Sequence, residues 1–517
     1  MGPHLGVRWT VALALTLAVW AAAGVAGGAP PIKGLTESAP LARAFALVYD
    51  ADFAAADAEL QQSCGAAPQE GCHLISAANQ WWRHYLDIDN HAPDPALLTR
   101  IAGVIDECEK WTAREPQRAE AWFYLGAAFG LRVQYHANHA EYLAGARDGK
   151  RVKEALEKCL ALDPGLQDAN FGIGMYEYYA DIVPAAFKWF RWMFALPGGN
   201  KDKGMRQMLQ TRNLGLLMKD EAAYQLHFVE IWYEKQPEMA LDLLAELRAR
   251  RPNNPMFILN AAQVHAEYRG DHTSALGEYR LLIDGARNGS LREPDLAAAW
   301  GHLGAAEQFE ALAEADRAME EARQVIDARA LRPFGAMARA HLLLGRAADR
   351  LGLRDQAVAA YRVAQSTAPS ADPGGTRKAA DEGLSRAPDK SAAEANRLSL
   401  EAWRAFERGA SDEAIPKLDR AVQLQPNDGI HRSRRGRVLL ARGDRTKALT
   451  DFERVTQARP MPPAPMLASA FLECARMYEG SGDRARAASS YEWATKVRGV
   501  DAATRAQAQQ ALARLKR

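Results

Sequence analysis

A glycine followed five residues later by alanine, and four residues after that by a bulky side chain, occurs five times in this chain. The instances are Gly270/Ala275/Tyr279, Gly352/Ala357/Tyr361, Gly409/Ala414/Leu418, Gly443/Ala448/Phe452 and Gly482/Ala487/Tyr491. In three of them a proline closes the unit eight residues further on, at Pro369, Pro426 and Pro460. Ala414 and Ala448 stand 34 residues apart. A period of this size specifies a series of small helical units, each of which needs its neighbour to hide its apolar side.

Each member of the motif has a mechanical role. Glycine takes the left-handed conformation that ends one helix. Asp355, Asp412, Asp444 and Asp483 follow closely and can cap the next. Alanine lets two helices cross closely, the bulky residue fills the space a turn later, and proline stops the second helix. Apolar residues recur at three- and four-residue spacing almost throughout, in stretches rich in Ala, Leu, Arg and Glu. The expected fold class is therefore all-α, a right-handed superhelical solenoid of antiparallel helix pairs.

These residues resemble the tetratricopeptide-repeat family. Its first-helix pattern, Trp-x-x-Leu-Gly-x-x-Tyr, is matched by Trp122, Leu125, Gly126 and Phe129. It recurs at Trp300, Leu303 and Gly304, with Glu307 in the aromatic place, and at Leu344 and Gly345, with His341 in the Trp place. Ala240, Leu244 and Pro252 repeat the second-helix spacing. The resemblance implies divergent helical repeats over 35–118, a solenoid with insertions over 119–369, and further repeats with a capping helix over 393–517. Residues 370–392, which hold Pro, Gly and Ser, read as a linker between the last two.

The first 26 residues read as a signal peptide: Arg8, an apolar run from Val11 to Ala23, then small residues through Ala26. The expected location is thus outside the cytoplasm, periplasmic or secreted. In such a compartment Cys64 and Cys72, on either side of a Gly/Pro turn, are a candidate disulfide. Cys108, Cys159 and Cys474 lie on apolar stripes and read as buried thiols. Lys and Arg number 65 against 64 Asp and Glu, so charge gives no reason to expect a nucleic-acid partner.

Several features bear on function. Nine of the 24 residues in 171–194 are aromatic, which reads as gap-filling core, or as a membrane-surface contact using Trp189 and Trp192. His136 and His139, near Glu141 in an insertion, share an i, i+3 spacing but lack a metalloprotease pattern, so no metal or cofactor is expected. No nucleophile-elbow motif or marked carboxylate pair occurs, and the chain reads as a non-enzyme; an unmarked active site around His136–Glu141 is the alternative from another class. Arginines cluster at Arg432, Arg434, Arg435, Arg437, Arg442 and Arg445, as on a solvated helix face. Alignment to the repeat instead points Arg339, Arg346, Arg350 and Arg437 into the groove lined by first helices. That arrangement resembles the family's carboxylate clamp without its full residue set, and implies a protein or peptide partner.

Overall fold

The computed structural model describes residues 30–182 and 198–515. The expected signal peptide, Trp189 and Trp192 lie outside the described residues. Within them the chain is all-α, with one isolated bridge between Ile32 and Arg118. None of the described helices is long and apolar enough to cross a membrane. The helices run in chain order α1 (Ser38–Tyr49), α2 (Phe53–Ser63), α3 (Gln69–Tyr85), α4 (Asp94–Arg114), α5 (Ala119–Asn138), α6 (Tyr142–Leu162), α7 (Ala169–Ile182), α8 (Lys201–Leu214), α9 (Lys219–Val229), α10 (Pro237–Arg250), α11 (Pro255–Gln263) and α12 (His272–Asn288). They continue as α13 (Pro294–Ala311), α14 (Ala315–Asp327), α15 (Ala336–Arg350), α16 (Arg354–Thr367), α17 (Thr376–Ser385), α18 (Lys390–Glu407), α19 (Ser411–Leu424), α20 (Gly429–Ala441), α21 (Arg445–Gln457), α22 (Ala464–Gly480), α23 (Arg484–Lys496) and α24 (Ala502–Leu515). Short π-helical extensions, Glu230–Glu234 and Val264–Arg269, prolong α9 and α11.

Two compact units result. The first comprises the described residues up to Phe45, of Asp57–Ala78 and of Asp94–Ala222; the second comprises Ala46–Ala56, Asn79–Pro93 and the described residues from Ala223 on. In the first, the insertion expected near residue 140 lengthens α5 and α6 together. A Cβ at Gly126 would lie 2.5 Å from Leu156, so this glycine lets the long pair close. Cys64 and Cys72 form a disulfide, and Cys108, Cys159 and Cys474 are buried free thiols. Burial pushes all three thiols up to about 12.

The repeat is clearest in the second unit. Seven turns between paired helices carry a left-handed residue: Lys235, Gly270, Ala313, Gly352, Gly409, Gly443 and Gly482, with φ between 58° and 87°. Five residues after each comes an alanine, at 240, 275, 318, 357, 414, 448 and 487, and none is more than 1% exposed. Sequence inspection found five of these turns by their glycine. The other two use Lys235 and Ala313, so the geometry persists where the glycine does not.

The bulky residue of the motif fills a notch left by a first-helix glycine. A Cβ at Gly304 would lie 2.1 Å from the Tyr279 ring, one at Gly345 2.6 Å from Tyr361, and one at Gly436 2.9 Å from Phe452. The repeated motif is thus a set of ring-into-notch contacts along the stack. Tyr361 is gripped twice, since Gly383 of α17 also stands against the outer end of its ring. Arg354 donates to the carbonyls of Gly383 and Leu384. The segment 370–392 therefore holds a helix fastened to the α15–α16 pair, and it lies inside the second unit.

N-terminal pieces complete this unit. Tyr49, Trp82, Tyr224 and Phe257 form a chain of ring contacts with centroids 4.6, 5.0 and 5.8 Å apart. Asn254 donates to the Tyr49 carbonyl (2.8 Å), Arg292 pairs with Asp52 (2.5 Å), and Asp87 accepts the Phe334 N–H (2.7 Å).

Two consequences can be measured. A side chain in the left-handed region costs roughly 1–2 kcal/mol relative to glycine. Ala313→Gly should therefore raise the unfolding free energy by about 1 kcal/mol, net of glycine's greater chain entropy. Gly443→Ala, at a position with open space around the Cβ, should lower it by about as much. Urea titration of both variants reads the sign directly. The second consequence concerns His227, fully buried beside the Tyr224 carbonyl, whose imidazole burial pushes down to about 3. A histidine kept neutral in the fold binds a proton on unfolding below pH about 6.5. Stability from this group is full above that pH and declines as pH falls towards 3, by at most about 1.4 kcal/mol per pH unit. His227→Gln should flatten the stability–pH profile between pH 6 and about 4; an unaltered slope would refute the assignment.

Candidate binding surface on the inner helices

α15 is rich in Ala, Leu and Arg, strong helix formers, and buries Leu342, Leu343, Leu344, Ala347 and Ala348. Arg339, Arg346 and Arg350, spaced by seven and four residues, share another stripe of the helix. α15 packs against α18, and α18 against α20. On α18, Trp403 and Phe406 stand with ring centroids 5.3 Å apart. Arg437 of α20 places its guanidinium 5.4 Å from the Trp403 ring centroid.

The four arginines differ in what holds them. Arg339 donates twice to one oxygen of Glu307, at 2.9 and 2.6 Å. Arg339 keeps an exposed side chain; crowding by its neighbours works against its charge, but Glu307 holds its pKa above the usual value. Glu307 occupies the repeat position where the family pattern places an aromatic ring, so Arg339 on the next inner helix compensates that departure. Glu267 adds acid nearby, its carboxyl raised by burial and then by Glu307. Arg437 is engaged by its cation–π contact. Arg346 is exposed and Arg350 half-buried, and among the described residues neither forms an ion pair. The uniformly basic groove expected from alignment thus reduces to two uncommitted guanidiniums beside an aromatic step. The structure gives no direct contact that joins all four arginines.

The late arginine cluster is not a uniformly solvated face. Arg432 and Arg435 clasp Asp451 at 3.0 and 2.7 Å, and Arg442 pairs with Asp412 at 2.8 Å. Arg434 is only 2% exposed; it donates to the Ala313 carbonyl (2.8 Å) and to Ser399 Oγ (3.1 Å). Burial lowers its pKa to about 10. Beside it Arg404 joins Glu314 (2.7 Å), Asp316 (2.7 Å) and Glu407 (2.9 Å). Arg404 and Arg434 together dock the C-terminal repeats onto the α13–α14 turn. No motif marked Arg404; its role arises from a turn 88 residues earlier in sequence.

In the insertion His136 and His139 do not converge on one site. His136 Nδ1 meets Glu141 at 2.6 Å, whereas His139 Nε2 meets Asp94 at 2.7 Å and its Nδ1 the Tyr135 carbonyl at 2.8 Å. Burial opposes protonation of His139, but the Tyr135 carbonyl and Asp94 prevail and raise its pKa. Glu141 belongs to the turn of the α5–α6 hairpin, whereas Asp94 opens α4, so only the His136 pairing lies within the hairpin.

No protein-family model matches this chain, and no curated protein matches it. Solved structures do. A tetratricopeptide repeat protein from Parabacteroides merdae is 15% identical over 58% of this chain and 99% of its own, with a TM-score of 0.24. The TPR2AB domain of yeast Sti1, in complex with pHSP90, is 11% identical over 58% of this chain and 98% of its own, with a TM-score of 0.22. A TPR protein from Thermus thermophilus is 16% identical over 57% of this chain and 99% of its own, with a TM-score of 0.18. The helical-repeat fold itself rests on the turns, buried alanines and ring-filled notches of this chain.

Structural and surface arginines separate by stability. Arg404→Met should lower the unfolding free energy by about 2 kcal/mol, since it strips a partly buried carboxylate cluster of its cation. Arg346→Met should change it by less than about 0.5 kcal/mol. Equal effects in urea denaturation would contradict the distinction.

Proposed function

We propose that this helical-repeat protein is a non-enzymatic scaffold, exported to the periplasm or secreted, that holds a protein or peptide partner on its inner helices. The single observation that carries the reading is the Arg346–Arg350 pair, two guanidiniums without an ion pair among the described residues, on α15 next to the Trp403–Arg437 step of α18 and α20. The planar guanidinium fork is pre-organised to donate two parallel hydrogen bonds to a carboxylate, and the helix fixes where the two forks start. The neighbouring ring offers apolar area for a side chain of the bound segment. Together they suit an extended peptide with a terminal or side-chain carboxylate. The Cys64–Cys72 disulfide and the apolar N-terminal run support an oxidising destination.

A tagged mature chain should capture a partner from a cell-envelope extract. Arg346→Glu combined with Arg350→Glu should reduce the yield by on the order of tenfold, as expected for reversing two charged contacts. Quantitative mass spectrometry of the captured material reads the effect. Equal recovery by the double variant would show that the partner binds elsewhere.

A further inference from the structure

The turn from α12 into α13 carries a chemistry of its own. Asn288, the last residue of α12, is followed by Gly289, and no other asparagine in the chain precedes a glycine. Arg287, Asn288, Gly289 and Ser290 are all exposed. Gly289 takes the left-handed conformation, with φ of 74°, and a Cβ built on it would meet nothing within 4 Å. The Gly289 nitrogen therefore approaches the Asn288 side chain without steric opposition, whereas the β-carbon of any other residue crowds that approach.

The side-chain amide of Asn288 is also set up as an electrophile. Its Oδ1 accepts the Ser290 N–H at 2.9 Å. A donor on that oxygen stabilises the negative charge that develops there when a nucleophile adds to Cγ. One restraint opposes reaction: the Gly289 N–H donates to the Gly285 carbonyl and caps the helix. That bond lies at an exposed helix end, where the last turn frays, and each opening frees the nitrogen.

We propose that Asn288 is a site of spontaneous deamidation. The Gly289 nitrogen gives up its proton to base and forms a bond to Asn288 Cγ. The Cγ–Nδ2 bond breaks, and the departing nitrogen takes a proton from water and leaves as ammonia. The cyclic imide so formed takes up water at either of its carbonyls and opens to aspartate or to isoaspartate. The sum is amide plus water to acid plus ammonia, with no oxidation or reduction. Both products place a carboxylate at the C-terminal end of α12, where the helix dipole disfavours it. Isoaspartate also adds a methylene to the backbone between residues 288 and 289. That displaces the Ser290 and Leu291 N–H groups, which reach the Gly285 carbonyl at 3.0 and 3.3 Å. It loosens the buried Leu291 side chain, which lies where a Cβ at Gly285 would meet it at 2.5 Å. None of this depends on Arg346, Arg350 or any partner.

Prolonged incubation of the folded full chain in mildly alkaline buffer, followed by peptide mapping with mass spectrometry, tests the proposal. Asn288 should convert at least about tenfold faster than any other asparagine of the chain. Isoaspartate should be among the products, and the rate should rise with pH because the attacking amide must lose its proton. A more acidic species should accumulate on ion exchange in the unaltered chain and not in Asn288→Gln, whose longer side chain has to close a larger ring. Matching thermal melts before incubation check that both chains start folded. Asn288 left intact while other asparagines convert would overturn the proposal. So would aspartate without isoaspartate, the mark of direct hydrolysis, or equal accumulation of the acidic species in Asn288→Gln.

Discussion

The close crossing of paired helices is the contact on which everything else here depends. It requires three things at fixed spacing: a left-handed residue to reverse the chain, an alanine small enough to sit in the crossing, and a notch to receive a ring. Where all three are met, apolar faces meet with little empty space, and a helix too short to persist alone is held by its neighbours. Ala313 and Lys235 show how strongly the packing dictates the backbone. Both adopt the left-handed conformation although each bears a side chain that disfavours it. The buried alanines at 240 and 318 follow them as they follow the glycines.

A stack built from nearest-neighbour contacts does not by itself determine how distant repeats meet. In the second unit this is settled by side chains at the turns. Arg404 and Arg434 grip the α13–α14 turn, Arg498 reaches the Tyr268 carbonyl at 3.4 Å, and Gly499 passes close against Gly270. Arg434 is held by a carbonyl and a hydroxyl instead of a carboxylate, and its Nε is buried with no partner among the described residues. Such an arrangement tolerates burial poorly if either element moves, so it favours one arrangement of the docked repeats. These contacts also consume arginines that would otherwise have made the inner surface more basic.

Function follows from what is left over. Arg339 is neutralised by Glu307, and most of the late cluster is paired within the fold. Arg346 and Arg350 stay available. A solenoid can keep such groups apart from its packing because successive helices present a stripe to solvent while sharing one buried layer. Availability, not abundance, of charge separates a binding surface from a structural one.

The repeat was legible from the amino-acid order because its causes are mostly local: glycine, alanine and ring lie within ten residues, and only the turns at Lys235 and Ala313, where packing imposes the left-handed backbone, lacked the glycine signal. The Cys64–Cys72 bridge was legible for the same reason, the two thiols being eight residues apart. The fate of each arginine was not legible. Alignment placed Arg339 and Arg437 among free groove residues, and only the folded chain brought Glu307 and Trp403 against them. The roles of Arg404 and Arg434 likewise depend on a turn brought to them from 88 and 121 residues away in the chain. Short-range order determined the helix pairs and their turns; the three-dimensional stack alone decided which charges are spent in holding it and which remain to meet a partner.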